Sequence, residues 1–560
     1  MSDVQDLFVE AYKDHAGGRV DAAFAGYQAV LERNPDHSDA LHLSALIMAD
    51  MGDVKSAIER IKTAITVAPD NARNSAPDNA LYHANLGRLY NQDDQLENAA
   101  RCYRESVRLN PGAADVLSDL SAVLLRTGQF DAALDYAGRA LAIKPDFVPA
   151  LFNRGVVYKN LGDFERAVDC FQGVEKRDAN FPDLGFEWAG ALLELASANR
   201  LAGHFDKALR ENLFALKQAP DEAAVHGNLA VLYQETGRMD EAFRHYHHAI
   251  RLAPDNPEFR RNRGMAYLQV GDFENGWMDY RYRWQTGAFQ NQIRDFQHPL
   301  WQGEDIRLKT LLVHAEQGYG DSLQFARFIP HLQTRAGHIV FECQPPLLRL
   351  LSHSFKNVTV IARGQPLPDF AVHVPLLDVP GILYDRDHAE IPDASYVSWP
   401  GKTKPGGGAF KVGLAWKGNP GHPRDGFRSM PFTYLKPLLE KKNIDFFSLQ
   451  MDGGNDDIKA HGLSETITDL SADIKDFADT AALVNALDLV ITVDSAVAHL
   501  AGSMGKPVWV MLSSVPEWRW QLKRTDSPWY PSLRLFRQRT LNDWAGVVDD
   551  VRLALAKKTG

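Results

Sequence analysis

The chain has 560 residues, more than one hydrophobic core organises, so at least two or three domains are expected. Against 61 basic side chains stand 72 acidic ones, and the formal charge of -11 excludes a general nucleic-acid or acidic-membrane binder, which needs a basic field. Cys102, Cys170 and Cys343 are too few and too scattered for a disulfide framework or a zinc cluster, which fits a reducing compartment. The opening "MSDVQDLFVEAYKDHAGG" has no basic n-region, and no run of about 18 apolar residues occurs, so a cytoplasmic protein without a membrane span is expected.

The first half repeats itself. Gly18 and Gly52, then Gly128 and Gly162, then Gly203, Gly237 and Gly271 are spaced by 34 residues within each group. Pro35 and Pro69, Pro111 and Pro145, and Pro220 and Pro254 keep the same step. Between them fall Ala23, Ala57, Ala99, Ala133, Ala167, Ala208 and Ala242, small residues where two helices cross. A glycine that ends one helix, an alanine at the crossing and a proline that opens the next unit describe a helical hairpin with tetratricopeptide spacing. With Asp94 in the glycine place of the third unit, eight units span 1–287, interrupted by insertions at 71–79 and near 178–185.

Single hairpins cannot bury their own apolar faces, so the expected fold here is an all-α superhelix with a groove lined by first helices, a shape that takes extended peptides. Asn85, Asn153 and Asn228 recur at one position of those helices and are candidate contacts to a peptide backbone, the alternative being bonds to neighbouring turns of the array. The eighth unit has Gly276 in place of alanine and carries Trp277, Tyr280, Tyr282 and Trp284, the composition of a cap that docks the array onto the next domain.

Beyond residue 287 the period changes. "RLKTLLVHAEQ", "HIVFECQ" and "VTVIAR" read as strands separated by a glycine turn "GYGD" and by helices, over 288–398. The Gly/Pro linker 399–410 resets the pattern, and 411–560 offers "KVGLAW", "IDFFSLQ", "LDLVITV" and "PVWVMLSS" as strands, with a last helix at the C-terminus. Alternating strands and helices imply two doubly wound Rossmann-like halves that bind ligands at the carboxyl ends of their strands. Asp494 lies at such an end, Ser495 at the following helix N-terminus and His499 one turn on. A helix N-terminus with unpaired N–H groups suits an anion such as a diphosphate, to which Ser495 adds a hydroxyl and His499 an imidazolium; plain helix capping is the simpler alternative.

From about Leu308 onward, "EQGYGDSLQFARFIP", "GNPGHPRDGFRS", "VDSAVAHLAGSMGKPVWVML", "EWRW" and "SPWYPSLRLFRQ" resemble the bacterial tetratricopeptide-repeat glycosyltransferases, similar to the ADP-heptose lipopolysaccharide heptosyltransferases of glycosyltransferase family 9. Tyr319, Ser495 and Glu517 depart from the residues usual there without removing a reactive group. The resemblance implies a GT-B fold and an inverting, metal-independent transfer from a nucleotide sugar, with no cofactor. It gives Asp321 the role of general base, the alternative being a helix N-cap with no chemistry; Glu316 at the strand end is held in reserve, and Gly318 and Gly320 let backbone come close to the acceptor. Arg428 with Ser429 corresponds to the donor-phosphate contact; Asn419, His422, Gln450, Trp518 and Arg519 are further donor candidates, and Lys417 a weaker one. For Trp518 the alternative is core packing, and for Arg519 an ion pair with Asp526. The resulting expectation is sugar transfer to a hydroxyl of a protein, flagellin or another surface protein being candidates, held by the array. A non-catalytic peptide-binding scaffold and a glycan- or lipid-directed enzyme are the alternatives.

Overall fold

The computed structural model describes residues 2–68, 76–387, 391–392, 395–401 and 409–559. Pro69, the first part of the 71–79 insertion and most of the 399–410 linker lie outside the described residues. The chain divides into two compact units, Met1–Ala198 with Arg210–Pro220, and Asn199–Leu209 with Asp221–Gly560.

Among the described residues the first unit is built of helices. Its hairpins pair Ser2–Ala16 with Val20–Arg33, Ser38–Asp50 with Val54–Val67, Ala76–Gln92 with Leu96–Leu109, Ala114–Arg126 with Phe130–Ile143, and Val148–Asn160 with Phe164–Glu175. Each hairpin turns on the residue the 34-residue spacing selects: Gly18, Gly52, Gly128 and Gly162 have φ between 72° and 91°, and Asp94 takes the same left-handed turn at 57°. Ala23, Ala57, Ala99, Ala133 and Ala167 are fully buried where the helices cross. Asn85 lies 2.8 Å from His42 Nε2 and accepts from Arg88, while Asn153 donates to the carbonyl and hydroxyl of Ser118. These two amides therefore bond neighbouring helices of the solenoid and do not stand free for a peptide, a correction to the asparagine-ladder expectation. Asn228, in the second unit, is half-buried.

The second unit joins the last hairpins, Ala223–Glu235 with Met239–Leu252 and Pro257–Val270 with Phe273–Tyr280, to two parallel sheets. The first sheet contains β1 (Ile306–His314), β2 (Ala336–Cys343), β3 (Val358–Ala362) and β4 (Val372–Pro375) in the order β3-β2-β1-β4. The second contains β5 (Phe410–Ala415), β6 (Ile444–Ser448), β7 (Ile467–Asp469), β8 (Leu489–Val493), β9 (Val508–Leu512) and β10 (Leu533–Arg537) in the order β10-β9-β8-β5-β6-β7. Strand order reverses between β5 and β8, the switch point at which open α/β sheets hold ligands. β8 and β9 are buried at every residue because helices cover both faces, which is why they read as unbroken apolar runs. β4, β7 and β10 add to the strands expected from sequence; β4 and β7 have four and three residues, too short for a periodic signal.

One core runs through the cap and both sheets, with Leu268, Trp277, Leu311, Phe325, Leu500 and Trp529 among its members. Gly276 is required in the cap because a Cβ there would lie 2.6 Å from Leu268 Cδ2. Its neighbour Trp277 packs edge-on against Phe325 at 6.1 Å and Trp518 at 5.9 Å, the docking contact that the aromatic eighth unit suggests.

Candidate functional site

Three loops at strand carboxyl ends form the site. The first follows β1. Asp321 sits in the opening turn of a helix Tyr319–Phe325, and its carboxylate accepts from the Gly318 N–H at 2.9 Å and from Arg519. The first bond is half of a capping box, and the second ties this loop to the one after β9. Gly320 makes a close approach possible, although not to an acceptor: a Cβ there would stand 2.8 Å from His499 Cδ2, so the glycine seats the base loop against the helix Ala496–Ser503.

Glu316 is fully enclosed. Arg283, from the end of the eighth repeat, holds it at 2.7 Å and Asp378 at the same distance. Burial raises the Glu316 carboxyl above the usual range despite the opposing pull of Arg283. A carboxylate so locked does not reach an acceptor, which corrects its standing as reserve base.

The second loop follows β5. Asn419 Oδ1 caps the Gly421 N–H, His422 Nδ1 accepts from the Arg424 N–H, and Ser429 Oγ accepts from Gly418 while donating to Asp425. Burial, then the charge on Arg428, lowers the His422 pKa. These bonds give the loop a fixed shape and deliver Arg428 across the switch point, where Nη2 donates to the Asp494 carbonyl at 2.6 Å and Nε faces its carboxylate at 3.2 Å. Gln450 is a brace: its Oε1 accepts from the Trp416 and Lys417 N–H groups, so it does not offer that oxygen to a nucleoside. Lys417 is paired with Asp457 at 2.5 Å.

The third region gathers the turn after β8 and the loop after β9. Burial pushes Asp494 up, but Arg428, followed by His499, Trp520 and Arg519, outweighs it and leaves the carboxyl below its ordinary range. Ser495 Oγ lies 2.9 Å from Thr492 Oγ1. His499 is stacked on Trp520 at 5.1 Å, with Nδ1 3.0 Å from the Tyr530 hydroxyl. Burial lowers its pKa to about 4 against the pull of Asp494, so the ring is neutral near pH 7 and the expected imidazolium is corrected to an uncharged imidazole. Trp518 is core, enclosed by Trp277, Tyr280, Phe325 and Trp529. Arg519 pairs with Glu517 and Asp321; Asp526 takes Arg524 instead.

Arg428, Asp494, Ser513, Glu517, Trp520 and Arg537 line a small pocket of about 20 Å³, room for a single water. Reading the sequence alone misses Arg537. Its side chain donates to the backbone carbonyls of Trp520 and Arg524, and burial pulls its pKa down to about 10. Arg537 thus stands as a second desolvated guanidinium beside Arg428, whose own charge faces the Asp494 carboxylate. The signal for it is the arginine that ends "LRLFR", a position visible only once β10 is recognised as a strand.

Residues 454–540 match the model of glycosyltransferase family 9 (heptosyltransferase), and 44–114, 84–146, 118–183 and 223–256 match tetratricopeptide repeats. Protein FlbA of Caulobacter vibrioides is 25% identical over 94% of this chain and 85% of its own length. A probable UDP-N-acetylglucosamine–peptide N-acetylglucosaminyltransferase SPINDLY of Hordeum vulgare is 26% identical over 26% of this chain and 15% of its own. Among solved structures, a tetratricopeptide repeat protein from Parabacteroides merdae covers 45% of this chain and 93% of its own, at 20% identity and a TM-score of 0.32.

Proposed function

We propose that the chain is a glycosyltransferase in which tetratricopeptide repeats precede a family 9-like domain, and that it moves a sugar from a nucleotide-sugar donor to a hydroxyl of a protein acceptor recruited by the repeats. The observation that supports the donor half of this reading is the gathering of Arg428 and Arg537 around a small pocket at the carboxyl ends of β8 and β9, the place where open α/β sheets bind ligands. As the bond to the anomeric carbon breaks, negative charge grows on the leaving phosphate, and two fixed guanidinium groups aimed into a water-poor hollow stabilise it more in the transition state than in the ground state. The N–H groups that open helix Ala496–Ser503 add to that field. Arg519 is a bridge, holding Asp321 by one edge and Glu517 by another, so that the base is oriented relative to the cavity wall.

Asp321 takes the acceptor proton as the new bond forms. Of the two carboxylates after β1 it is the one with solvent access, its side chain 16% exposed against 3% for Glu316. The protein acceptor is favoured by the length of the repeat array, flagellin and other surface proteins being candidates, and by the similarity to SPINDLY, a probable UDP-N-acetylglucosamine–peptide N-acetylglucosaminyltransferase. Among the described residues no helix is long and apolar enough to cross a membrane, in keeping with the cytoplasmic location we propose.

The test is a thermal-shift panel of ADP, UDP, GDP, dTDP and CMP, since a ligand bound only by the native state raises the melting temperature. One of these is expected to stabilise the wild type, with the effect lost in Arg428→Ala and reduced in Arg537→Met. Identical melting curves throughout would replace the enzyme by a peptide-binding scaffold. Asp321→Asn is expected to keep the nucleotide shift and lose transfer; full turnover would remove Asp321 as the base.

A further inference from the structure

The repeats carry a contact that recruitment of an acceptor does not explain. Glu235, the last residue of the helix Ala223–Glu235, is nearly inaccessible, its side chain 2% exposed, yet one of its oxygens holds two guanidinium groups. Arg200 of the preceding repeat lies 2.7 Å from Oε1, and Arg424 lies 2.5 Å from it. Arg424 is not a repeat residue; it belongs to the loop after β5 that carries Arg428. Three residues on, Phe427 packs at 6.1 Å against Phe205, the first residue of the helix Phe205–Gln218, and a Cβ on Gly203 would come within 3.4 Å of the Phe427 ring. The loop is therefore held on both of its faces: Arg428 points to Asp494 and the cavity, while Arg424 and Phe427, at the start and within a single helical turn Asp425–Arg428, are seated on the repeats.

We propose that Glu235 is a positioning residue for donor binding, acting through Arg424 to hold the loop that aims Arg428 at the donor phosphates. This role rests on the donor reading of the cavity given above, and on three features of the contact. The loop's own bonds, through Asn419, His422, Ser429 and Asp425, fix its internal shape, and Arg428 with the Met430 N–H ties its inner side to the ends of β8 and β5, which leaves its outer side to Arg424 and Phe427. A helix of four residues is too short to hold its place by itself and needs an outside anchor. An enclosed carboxylate costs desolvation energy that a surface pair would avoid, and sharing it between Arg200 and Arg424 gives one loop position a strong preference over its neighbours. The sixth and seventh repeats thus act as part of the donor site's frame, and a change in their packing is transmitted to the loop.

The test uses the full chain and begins without a ligand. In hydrogen–deuterium exchange, Glu235→Gln and Arg424→Met are each expected to speed exchange of the amides at 418–429 several-fold, with β8 and β9 unchanged. Isothermal titration with inorganic pyrophosphate, a stand-in for the donor diphosphate, is then expected to show roughly three- to tenfold weaker binding in both variants. Arg424→Lys should recover most of the affinity. In an Arg428→Ala background Arg424→Met should have no further effect, because the two act in series; an effect of the same size there would mean that Arg424 does not work through Arg428. Unchanged loop exchange in Glu235→Gln would overturn the proposal, as would a faster loop with unaltered pyrophosphate affinity. If Arg428→Ala itself leaves pyrophosphate binding intact, the donor reading fails first. A loss confined to melting temperature, with loop exchange and affinity at wild-type values, would reduce Glu235 to a fold-stabilising residue.

Discussion

His499 should make the catalytic unit sensitive to acid, and the size of the effect follows from its surroundings. The ring is enclosed by Trp520, Tyr530 and the backbone of Gly320, and burial depresses its pKa from 6.5 to about 4 even with Asp494 nearby. For a group whose folded pKa is depressed, the stabilising contribution is present in full above the unfolded value and is withdrawn as pH falls toward the folded one. The window is therefore about pH 6.5 down to about 4, and the shift corresponds to about 3 kcal/mol of unfolding free energy across it. The perturbation is His499→Gln, which removes the titration while keeping a polar side chain of similar reach. At about pH 7.5 the variant should be less stable by about 1 to 2 kcal/mol, having lost the tyrosine bond and the stacking on Trp520. Urea unfolding followed by tryptophan fluorescence, repeated between about pH 7.5 and 4.5, should show the wild-type advantage shrinking and then reversing. His42, His245 and His314, whose pKa values burial also lowers, titrate equally in both proteins and cancel in the difference. A wild-type advantage constant across the window would refute this reasoning, because it would mean that His499 is protonated to the same extent folded and unfolded.

Gly320→Ala should cost about 1 to 3 kcal/mol and lower transfer, since the new methyl meets His499 at 2.8 Å; a thermal melt and an activity assay of the variant check both. Arg283→Met should destabilise the second unit by about 3 to 5 kcal/mol by leaving Glu316 and Asp378 enclosed without a counter-charge. Burial already raises the Glu316 carboxyl to about 7 and loss of Arg283 raises it further, so wild type and variant lose this share of stability alike up to about pH 7 and the variant's deficit should grow only above about pH 7 in urea titrations. Asn153→Ala should cost about 1 kcal/mol of array stability through the lost bonds to Ser118 and leave acceptor affinity unaltered; a weakened acceptor would restore the peptide-contact reading.

How much of the fold is legible in the sequence depends on which forces are local. A hairpin turn at φ near 80° admits glycine with little strain, and a helix crossing admits little more than a methyl, so Gly18 through Gly271 and Ala23 through Ala242 mark the repeats at a fixed step, and even Asp94 can be placed. β8 and β9 are legible because burial on both faces forces an unbroken apolar run. β7 is not, because three residues carry no period; its place beside β6 is settled by the sheet it joins.

The site is legible as a set of strand ends, while the division of labour within it is hidden, because that division depends on who stands beside whom. Gln450, Trp518 and Glu316 carry the right chemistry at the right ends, yet the structure turns the first into a backbone brace, the second into core and the third into one arm of an enclosed ion cluster. His499 shows the same principle with its sign reversed: an imidazole one turn into a helix suggests a cation, but close packing against Gly320, Trp520 and Tyr530 removes the water that a cation needs. With His499 neutral, the positive field proposed for a leaving diphosphate falls to Arg428, Arg537 and the N–H groups that open the helix Ala496–Ser503. That transfers the specificity of the site from the helix that carries the most recognisable motif to the loop after β5, and hence to whatever fixes that loop in place.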